Sequence, residues 1–343
     1  MTVSPGTGVD QAVIDMMGSV FAEYREHHAR SDSVSCDRQL WSALDELGLI
    51  RLTGAEASGG SGAGWYESAE LLSAAVRNGV RLPLAEHDLL ACWLLEANGT
   101  PADTAIRTVS KVDANGRAAA VPWASTADRV VVVWRVGDGY RAADVDTDAL
   151  RITPGANMIG EPRDNLEVDT ETLVGEPVPV TVVAQLTLRS ALIRAIQVCA
   201  SLQEILELSV EHVTSRVQFG RPLSKFQAVQ NQVADIAAEA ALARAATEAA
   251  LTAAVSSDWT APNLEFLIAV ARSCAGHAAS VVVRNAHQVH GAIGTTREHR
   301  LHEFTRAALA WRSEFGSVRH WDAKVADSAL AAGSAGLWNL ITG

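Results

Sequence analysis

The sequence predicts a mainly α-helical protein with a small central β domain. Apolar residues recur at spacings of three and four in the first third of the chain and again throughout its second half, which is typical of helices. Between these parts, residues 117–184 form short runs rich in Val and Thr that Gly, Asp, Asn and Pro separate, as in strands and turns. We therefore predict an N-terminal helical domain at 1–116, a reduced β domain at 117–184 and a C-terminal helical bundle at 185–343.

The N-terminal domain is predicted to contain four helices. Helical spacing marks residues 9–28 and 39–49, and it resumes at 66–77 and 84–98. The segment GAEASGGSGAG at 54–64 is too rich in Gly and Ser for regular structure. It lacks the GK[ST] ending of a phosphate-binding loop, so we expect a plain connector.

The strands and the bundle helices follow in order. Short strands are expected in AAAVPWA, RVVVVWRV, YRAADVD, ALRITP, NLEVDTE and VPVTVVAQL. Helices are expected over 188–217, from Pro222 onward, over 261–290 and over 298–311. Proline in a first helical turn and the Ala-rich run behind it both favour the second of these helices. Four long antiparallel helices would form a bundle.

Composition restricts the partners of the 343-residue chain. Its net charge of -12 argues against nucleic acid and against an anionic membrane, which both attract basic patches. No uninterrupted apolar run approaches the roughly 20 residues that span a bilayer. The start MTVSPGTGVDQ lacks the basic and apolar regions of a signal peptide, so we expect a cytoplasmic protein.

Neither the cysteines nor the histidines predict a metal site. The four cysteines are scattered, without a CxxC pair, and are expected to be reduced core residues: Cys36, Cys92, Cys199 and Cys274. Four histidines come in pairs spaced by three: His287, His290, His299 and His302. No carboxylate or cysteine completes a convincing ligand set with them, so we predict no metal.

The first motif with chemical content is RVQFGRPLSKFQAVQNQVADIA, at 216–237. The guanidinium of Arg216 suits a diphosphate, and Phe219 offers an aromatic face beside it. Gly220 can supply the left-handed residue that closes the preceding helix. The alternative is that Arg216 complements the helix dipole and Phe219 belongs to the core.

The second motif is HQVHGAIGTTREHRLHEFTR, at 287–306. Gly291 and Gly294 follow a predicted helix, so a helix-capping turn is one interpretation. Glycine also permits close approach of the backbone to a ligand, with Gln288 beside it. Both interpretations can hold together.

Together the two motifs resemble the acyl-CoA dehydrogenase family. The first is similar to its Arg, two residues, Phe-Gly, then Pro-Leu, Phe-Gln and Ala-Asp, and the second to its Gln-x-x-Gly-x-x-Gly, Thr, Glu, Leu and Arg. A weaker likeness at 48–62, GLIRLTGAEASGGSG, falls where the family has a proline–glutamate–glycine loop. The resemblance implies the family's fold and FAD as cofactor. It also implies that six residues contact the FAD of a neighbouring subunit: Arg216, Gln218, Phe219, Gln288, Gly291 and Gly294.

The chain departs from the family at the catalytic base. The family's reaction removes a proton from the carbon next to the thioester, which requires a carboxylate over that carbon. Counted without gaps, the family's two alternative glutamate positions fall on Phe315 and Ser190, and neither is acidic. Glu314 is one residue early, which turns it by roughly 100° on a helix. VPWASTADRVVVVW also lacks the family's flavin-holding loop and strand, with Trp123 as a candidate remnant.

A chain with these losses resembles the small subunit of the heteromeric α2β2 acyl-CoA dehydrogenases that act in actinobacterial steroid degradation. We expect no catalytic residue of its own, a homologous catalytic partner subunit, a bulky steroid side-chain acyl-CoA as substrate and an electron-transfer flavoprotein as acceptor. The alternatives are a self-sufficient dehydrogenase that uses Glu314, a flavin-dependent monooxygenase on the same fold, or a pseudoenzyme that binds no flavin.

Overall fold

The computed structural model describes residues 8–28 and 34–342. The chain divides into two compact units, Met1–Arg189 and Ser190–Gly343. The order of elements is helices, a small β region and then long helices, which confirms the predicted fold class. The division into three domains at 116 and 184 stays a prediction.

Three α-helices open the first unit: α1 (Gln11–His27), α2 (Arg38–Glu46) and α3 (Trp65–Arg77). Aspartates cap the first two, because the Asp10 side chain accepts from the backbone of Ala12, and Asp37 accepts from Gln39 and Leu40. The predicted connector at 54–64 contains a single 3-10 turn and is otherwise irregular.

The predicted helix at 84–98 is not a regular α-helix. It begins as a π-helix, Ala85–Cys92, and continues as α4 (Trp93–Ala97). All eight residues of the π segment are buried, including Glu86, His87 and Asp88. Apolar spacing cannot distinguish the two helix types, and π segments are uncommon outside functional or strained sites.

Seven strands follow in two sheets: β1 (Arg107–Lys111), β2 (Arg117–Pro122), β3 (Arg129–Val136), β4 (Gly139–Asp146), β5 (Arg151–Thr153), β6 (Arg163–Glu167) and β7 (Glu176–Val178). The strand orders are β1-β3-β4-β7 and β2-β6-β5. Strand β1 pairs in parallel with β3, and its residues carry no alternation of apolar and polar side chains, so the sequence pattern missed it.

Helices α5 (Val180–Ser215), α6 (Gln227–Ser256), α7 (Leu264–His290), α8 (Leu301–Trp311) and α9 (Val318–Thr342) complete the chain. The start of α5 corrects one prediction, since most of VPVTVVAQL is helical despite its β-branched residues. Their intrinsic preference for strands is small, and it is outweighed by the continuous 36-residue helix in which they lie. Helix α9 bends at Gly333 and was not predicted, because its Ala-rich middle and the glycines at 333 and 336 give no clear apolar stripe.

A tight hairpin between α5 and α6 also differs from the prediction. Pro222 is not in the first turn of α6 but caps a 3-10 helix, Leu223–Lys225, and pairs with Val217 in the two-stranded ladder of β8 (Val217–Gln218) and β9 (Arg221–Pro222). Phe219 (φ 53°) and Gly220 (φ 78°) form its turn. Two consecutive left-handed residues are typical of a hairpin turn rather than of a helix cap.

Two helical segments, Val180–Ser215 and Leu264–Thr295, are long and apolar enough to cross a membrane when mean hydropathy is the criterion. In their most apolar windows, 67% and 56% of the residues are buried inside the protein. Core helices of globular proteins pass the same test. This evidence for a membrane is therefore weak, and the cytoplasmic location stays a prediction.

Close packing of α7 against α9 depends on Gly276, where an added Cβ would lie 2.5 Å from Val318 Cγ2. Gly276→Ala should therefore lower the free energy of unfolding by about 1–3 kcal/mol, because overpacking outweighs the helix preference of alanine. Urea denaturation monitored by circular dichroism measures the change.

Gly336→Ala in α9 is the matched control, because its Cβ would meet Ala332 Cβ at an ordinary 3.5 Å. This variant should be neutral or stabilised by up to about 1 kcal/mol. Val318→Ala should partly rescue Gly276→Ala. Equal stability of the two glycine variants would contradict the packing argument.

Candidate functional site

The two sequence motifs lie next to each other in the second unit. The imidazole of His212, near the end of α5, stacks on that of His290, the last residue of α7, with ring centroids 4.5 Å apart. The Arg216 backbone N–H donates to the His212 carbonyl at 2.9 Å, and Gly291 directly follows His290. Two segments that are distant in sequence therefore meet through one pair of histidines.

The hairpin of the first motif presents its side chains to solvent. Arg216 and Gln218 are exposed, and Phe219 is 91% exposed. The Phe219 ring contacts Phe226 edge to face, and the Arg221 guanidinium lies 4.2 Å from the Phe226 ring centroid. The structure thus excludes Phe219 from the core. It places the Phe226 ring beside the exposed guanidinium of Arg221.

The second motif divides between surface and interior. Gln288 and Gly291 are exposed. Apart from the two chain neighbours of Gly291, whose φ is 63°, no heavy atom of the described part of the chain lies within 4 Å of a Cβ built on it. Gly294 is buried, and its added Cβ would lie 2.8 Å from His290 Cβ and 3.0 Å from Leu301 Cδ2. Internal packing alone therefore requires a glycine at 294, whereas Gly291 leaves room for a ligand beside the backbone.

Neither of the two positions expected for a base carries a reachable acid. Ser190 is buried, at 5% exposure. Its neighbour Arg189 is buried as well, with its guanidinium 3.7 Å from the Trp93 ring centroid and 5.3 Å from that of Trp65. Phe315, the second position, has φ 52° and lies with its ring 5.0 Å from the guanidinium of Arg194.

Glu314, the alternative base, is held in an ion pair. Arg194, at 1% side-chain exposure, donates from Nε to Glu314 Oε2 at 2.7 Å and from Nη1 to Gln197 Oε1 at 2.6 Å. A second buried guanidinium, that of Arg272, donates to the carbonyl oxygens of Arg312, Glu314 and Gly316 at 3.0, 2.7 and 3.1 Å. Burial and the nearby Arg194 charge lower the pKa of Arg272 to about 10. The loop that carries Glu314 is thus bound on its backbone and on its carboxylate.

The structure also gives the surroundings of Trp123 and of the four cysteines. Trp123, considered as a remnant of a flavin-holding segment, is 2% exposed and has a φ of 62°, so its ring belongs to the core. All four cysteines are free, and Cys36 and Cys92 are buried as expected of core residues. Burial raises the pKa of the Cys36, Cys92 and Cys199 thiols to about 12, so they are poor nucleophiles.

The π segment contains buried ionisable groups that the sequence did not reveal. Burial and the nearby Arg107 charge lower the pKa of His87 to about 3, and the Arg107 backbone N–H donates to His87 Nδ1 at 3.1 Å. Burial raises the pKa of Asp88 to about 6, although Thr53 donates to its Oδ2 from both N and Oγ1 at 3.0 Å. The Asp88 carboxyl therefore favours its protonated form far more than an exposed aspartate does.

Comparison with known proteins assigns the family. Models of the acyl-CoA dehydrogenase N-terminal and C-terminal domains match residues 9–105 and 181–318. These matches cover most of the chain, and the chain belongs to the acyl-CoA dehydrogenase family. The resemblance carried by the two motifs is thereby confirmed. Proteins of this family are FAD-binding flavoproteins that carry out flavin-dependent dehydrogenation.

Among relatives, acyl-CoA dehydrogenase IpdE2 of Mycolicibacterium smegmatis is 25% identical over 306 residues, which cover 86% of this chain and 91% of that protein. Among solved structures, a chain of the ChsE4-ChsE5 complex from Mycobacterium tuberculosis is similar, with a TM-score of 0.81, 23% identity and coverage of 95% and 99%. A variant of the Tcur3481-Tcur3483 steroid ACAD gives a TM-score of 0.83, 22% identity and coverage of 94% and 98%. These two likenesses show the fold.

The exposed residues of the two motifs fit one end of a FAD molecule. Arg216 offers a fork of N–H donors for a diphosphate, and the amides of Gln218 and Gln288 can donate beside it. The 91% exposed ring of Phe219 offers an apolar face, and the open space at Gly291 admits a ligand against the backbone. These five residues are exposed on the surface of this chain, so they would suit a cofactor that another subunit holds for the most part. The assignment of all six residues to FAD stays a prediction.

The Arg194–Glu314 pair should matter for stability. Glu314→Gln leaves the 1% exposed guanidinium without its counter-charge, and we expect a loss of about 2–4 kcal/mol in the free energy of unfolding. Urea denaturation at pH 7 measures the loss.

Glu265→Gln is the matched control. Glu265 pairs with Lys324 at the same 2.7 Å, but their side chains are 58% and 44% exposed. An exposed pair contributes less than about 1 kcal/mol. If Glu314→Gln were no more costly than Glu265→Gln, the buried pair would not hold the loop.

Asp88 should make stability fall as the pH rises. Its folded pKa of about 6 lies above its ordinary value of 3.8, so between these values the folded protein retains a proton that the unfolded chain has lost. Above pH 6 the cost of the buried charge reaches about 3 kcal/mol. Asp88→Asn should be more stable than the wild type at pH 7.5, and this gap should close towards pH 4.

Urea denaturation at several pH values tests this trend, with Asp322→Asn as the control of opposite sign. Hydrogen bonds from Ser273, and then from His277, outweigh desolvation and lower the pKa of Asp322. Its contribution is present at neutral pH and lost in acid, so Asp322→Asn should be destabilised at pH 7.5. Parallel pH profiles for the two variants would contradict the assignment of Asp88.

Proposed function

We propose that this chain is the non-catalytic subunit of a heteromeric acyl-CoA dehydrogenase. It pairs with a homologous catalytic subunit in an α2β2 assembly. The assembly converts an acyl-CoA thioester to the 2-enoyl-CoA and passes the electrons to an electron-transfer flavoprotein. The chemistry that bound FAD would supply is acceptance of the hydride from the carbon β to the thioester, and a carboxylate of the catalytic subunit would take the proton from the α carbon.

The observation that carries this proposal is the fate of Glu314. A base must reach the substrate with an oxygen lone pair, but the Glu314 carboxylate is 16% exposed and paired with Arg194. Moving it to a substrate would break the ion pair with the buried guanidinium, at a cost of several kcal/mol. Ser190 and Phe315 have no proton-accepting carboxylate. This arrangement disfavours the self-sufficient alternative.

The contribution of this chain to the reaction is positioning. Arg216, Gln218 and Gln288 would hold the diphosphate of the partner's FAD through charge-assisted and neutral hydrogen bonds. Phe219 would cover an apolar part of the same cofactor, and the backbone at Gly291 would approach it closely. Because all five are exposed in the chain alone, the partner subunit is required to bury them.

A bulky acyl group, such as a steroid side chain, is the proposed substrate class. Support comes from the similarity to the Tcur3481-Tcur3483 steroid ACAD and to the ChsE4-ChsE5 complex, which is itself an assembly of two different chains. A subunit that does not enclose an acyl group of its own would leave space for a large one on the partner.

FAD stoichiometry tests the proposal. The chain is purified alone and after co-expression with a catalytic acyl-CoA dehydrogenase subunit of the same genome, and the visible spectrum is recorded. We expect a colourless single chain and a yellow complex with about one FAD per heterodimer. One FAD bound per single chain would overturn the shared-site proposal.

The contribution of Arg216 is tested in the complex. Arg216→Ala should weaken FAD retention by more than about 10-fold, the effect of losing a charge-assisted contact to a diphosphate. Arg244→Ala, which removes another exposed guanidinium that pairs with Glu248 along α6, should change nothing. Equal FAD retention by both variants would contradict the role of Arg216.

A further inference from the structure

Three histidines from separate parts of the second unit converge at the junction of the two motifs. They are His212 of α5, His290 of α7 and His299, which lies shortly before α8. One ring nitrogen from each lies within 4.8 Å of the others. The ring centroids of His290 and His299 are 4.8 Å apart, and His212 stacks on His290 with an interplanar angle of 22°.

The tautomer of His290 follows from its hydrogen bond. Its Nδ1 lies 2.8 Å from the Ala286 carbonyl oxygen, which can only accept, so Nδ1 carries the proton. The Nε2 atom then presents a lone pair, and this residue is 5% exposed. Among residues 8–28 and 34–342, no hydrogen-bond donor meets that lone pair. A buried acceptor without a partner is costly, so its presence needs a reason.

We propose that His212, His290 and His299 form a binding site for a zinc ion. A backbone carbonyl that fixes Nδ1–H and leaves Nε2 available is the usual outer support of a metal-bound histidine. Three imidazoles without a carboxylate select a borderline-soft ion such as Zn²⁺ over Mg²⁺ or Ca²⁺. Water would occupy the fourth position, since His212 and His299 are only half-buried.

Coordination requires small side-chain rotations that the structure allows. Zinc–nitrogen bonds of about 2.0–2.1 Å place tetrahedral ligand atoms about 3.3 Å apart, and one nitrogen of each histidine already lies within 4.8 Å of the others. The stacked ring of His212 must turn out of its plane, and its partial exposure leaves room to do so. His299 Nδ1 now accepts from the Leu301 backbone N–H at 3.1 Å, so binding through that atom exchanges this hydrogen bond for the metal.

These differences rank the three ligands. His290 is pre-oriented and buried, so it contributes most to affinity. His299 contributes less because it gives up a hydrogen bond, and His212 less because it gives up a stack. The neighbouring histidines are engaged elsewhere: His287 Nε2 lies 3.2 Å from Thr305 Oγ1, and His302 Nδ1 lies 2.8 Å from the His299 carbonyl oxygen.

The ion would join the two motifs. His212 lies one helical turn before Arg216, and His290 directly precedes Gly291. Binding would therefore hold the exposed hairpin and the Gly291 turn at a fixed separation. The site is built wholly from this chain and does not depend on the proposed subunit role.

The test uses the full chain after treatment with EDTA. Zn²⁺ is titrated in competition with a chromophoric chelator, and Co²⁺ is added separately so that its visible absorption reports the ligand geometry. We expect one Zn²⁺ per chain and no competition from millimolar Mg²⁺ or Ca²⁺. The bound Co²⁺ should show the intense visible absorption that is typical of a low coordination number.

Substitutions identify the ligands. His290→Gln should weaken Zn²⁺ binding by more than about 100-fold, and His212→Gln and His299→Gln by more than about 10-fold each, in line with losses from metal sites. His287→Gln, one turn earlier on α7, and His320→Gln, an exposed histidine on α9, should bind as the wild type does. Circular dichroism verifies that each variant is folded.

Three outcomes would overturn the proposal: no saturable Zn²⁺ binding, equal losses in the His287 and His320 controls, or unchanged binding when His212 and His299 are both replaced. In each case the cluster is a stack of neutral imidazoles that serves packing. If His290→Gln does not fold, the two half-buried positions still decide the question. The FAD measurements are separate, so failure of either proposal leaves the other standing.

Discussion

Burial of two arginines inside the C-terminal unit constrains the rest of this structure. Arg194 and Arg272 are each 1% exposed, and a guanidinium cannot lose its charge at neutral pH. The protein must therefore bring acceptors to them, and the segment between α8 and α9 supplies these acceptors. The Glu314 carboxylate meets Arg194, while carbonyl oxygens of residues 312, 314 and 316 meet Arg272. Phe315 and Gly316 adopt positive φ values within the same loop.

This network explains why an acid near the expected place is held as a counter-ion. A carboxylate in an ion pair with a buried cation is part of the structural framework, because breaking such a pair costs several kcal/mol. The chemistry of the loop thus follows from the two arginines that α5 and α7 bury.

The junction of α5 and α7 exposes aromatic and charged side chains instead of burying or pairing them. Residues that a monomer would be expected to bury or pair, such as Phe219 and Arg216, face solvent, while the histidines behind them pack together. Exposed aromatic and guanidinium groups on a rigid hairpin are typical of an interface that a partner or a ligand completes. The stacked histidine rings thus contribute to packing inside the protein, whereas the exposed hydrogen-bond donors are available for recognition.

The sequence by itself determined the order of helices, sheet and helices, the family, the two motifs and the absence of an acid at the two expected positions. These features depend on local spacing and on residue identity. It did not determine strand β1, the π segment, helix α9 or the hairpin at Pro222, because parallel pairing, close packing and burial outweigh local preference there. The predicted contacts of the six cofactor residues remain to be tested.

Only the tertiary structure decided the partners of side chains that are far apart along the chain. Glu314 became a counter-ion because Arg194, on a distant helix, is buried beside it. His290 and His299 lie close to a third imidazole, that of His212, whereas the sequence grouped them with His287 and His302. The physical reason is the same in both cases: charge pairing and ring contact act over a few ångströms in space, and sequence spacing records such distances only within one helix or strand.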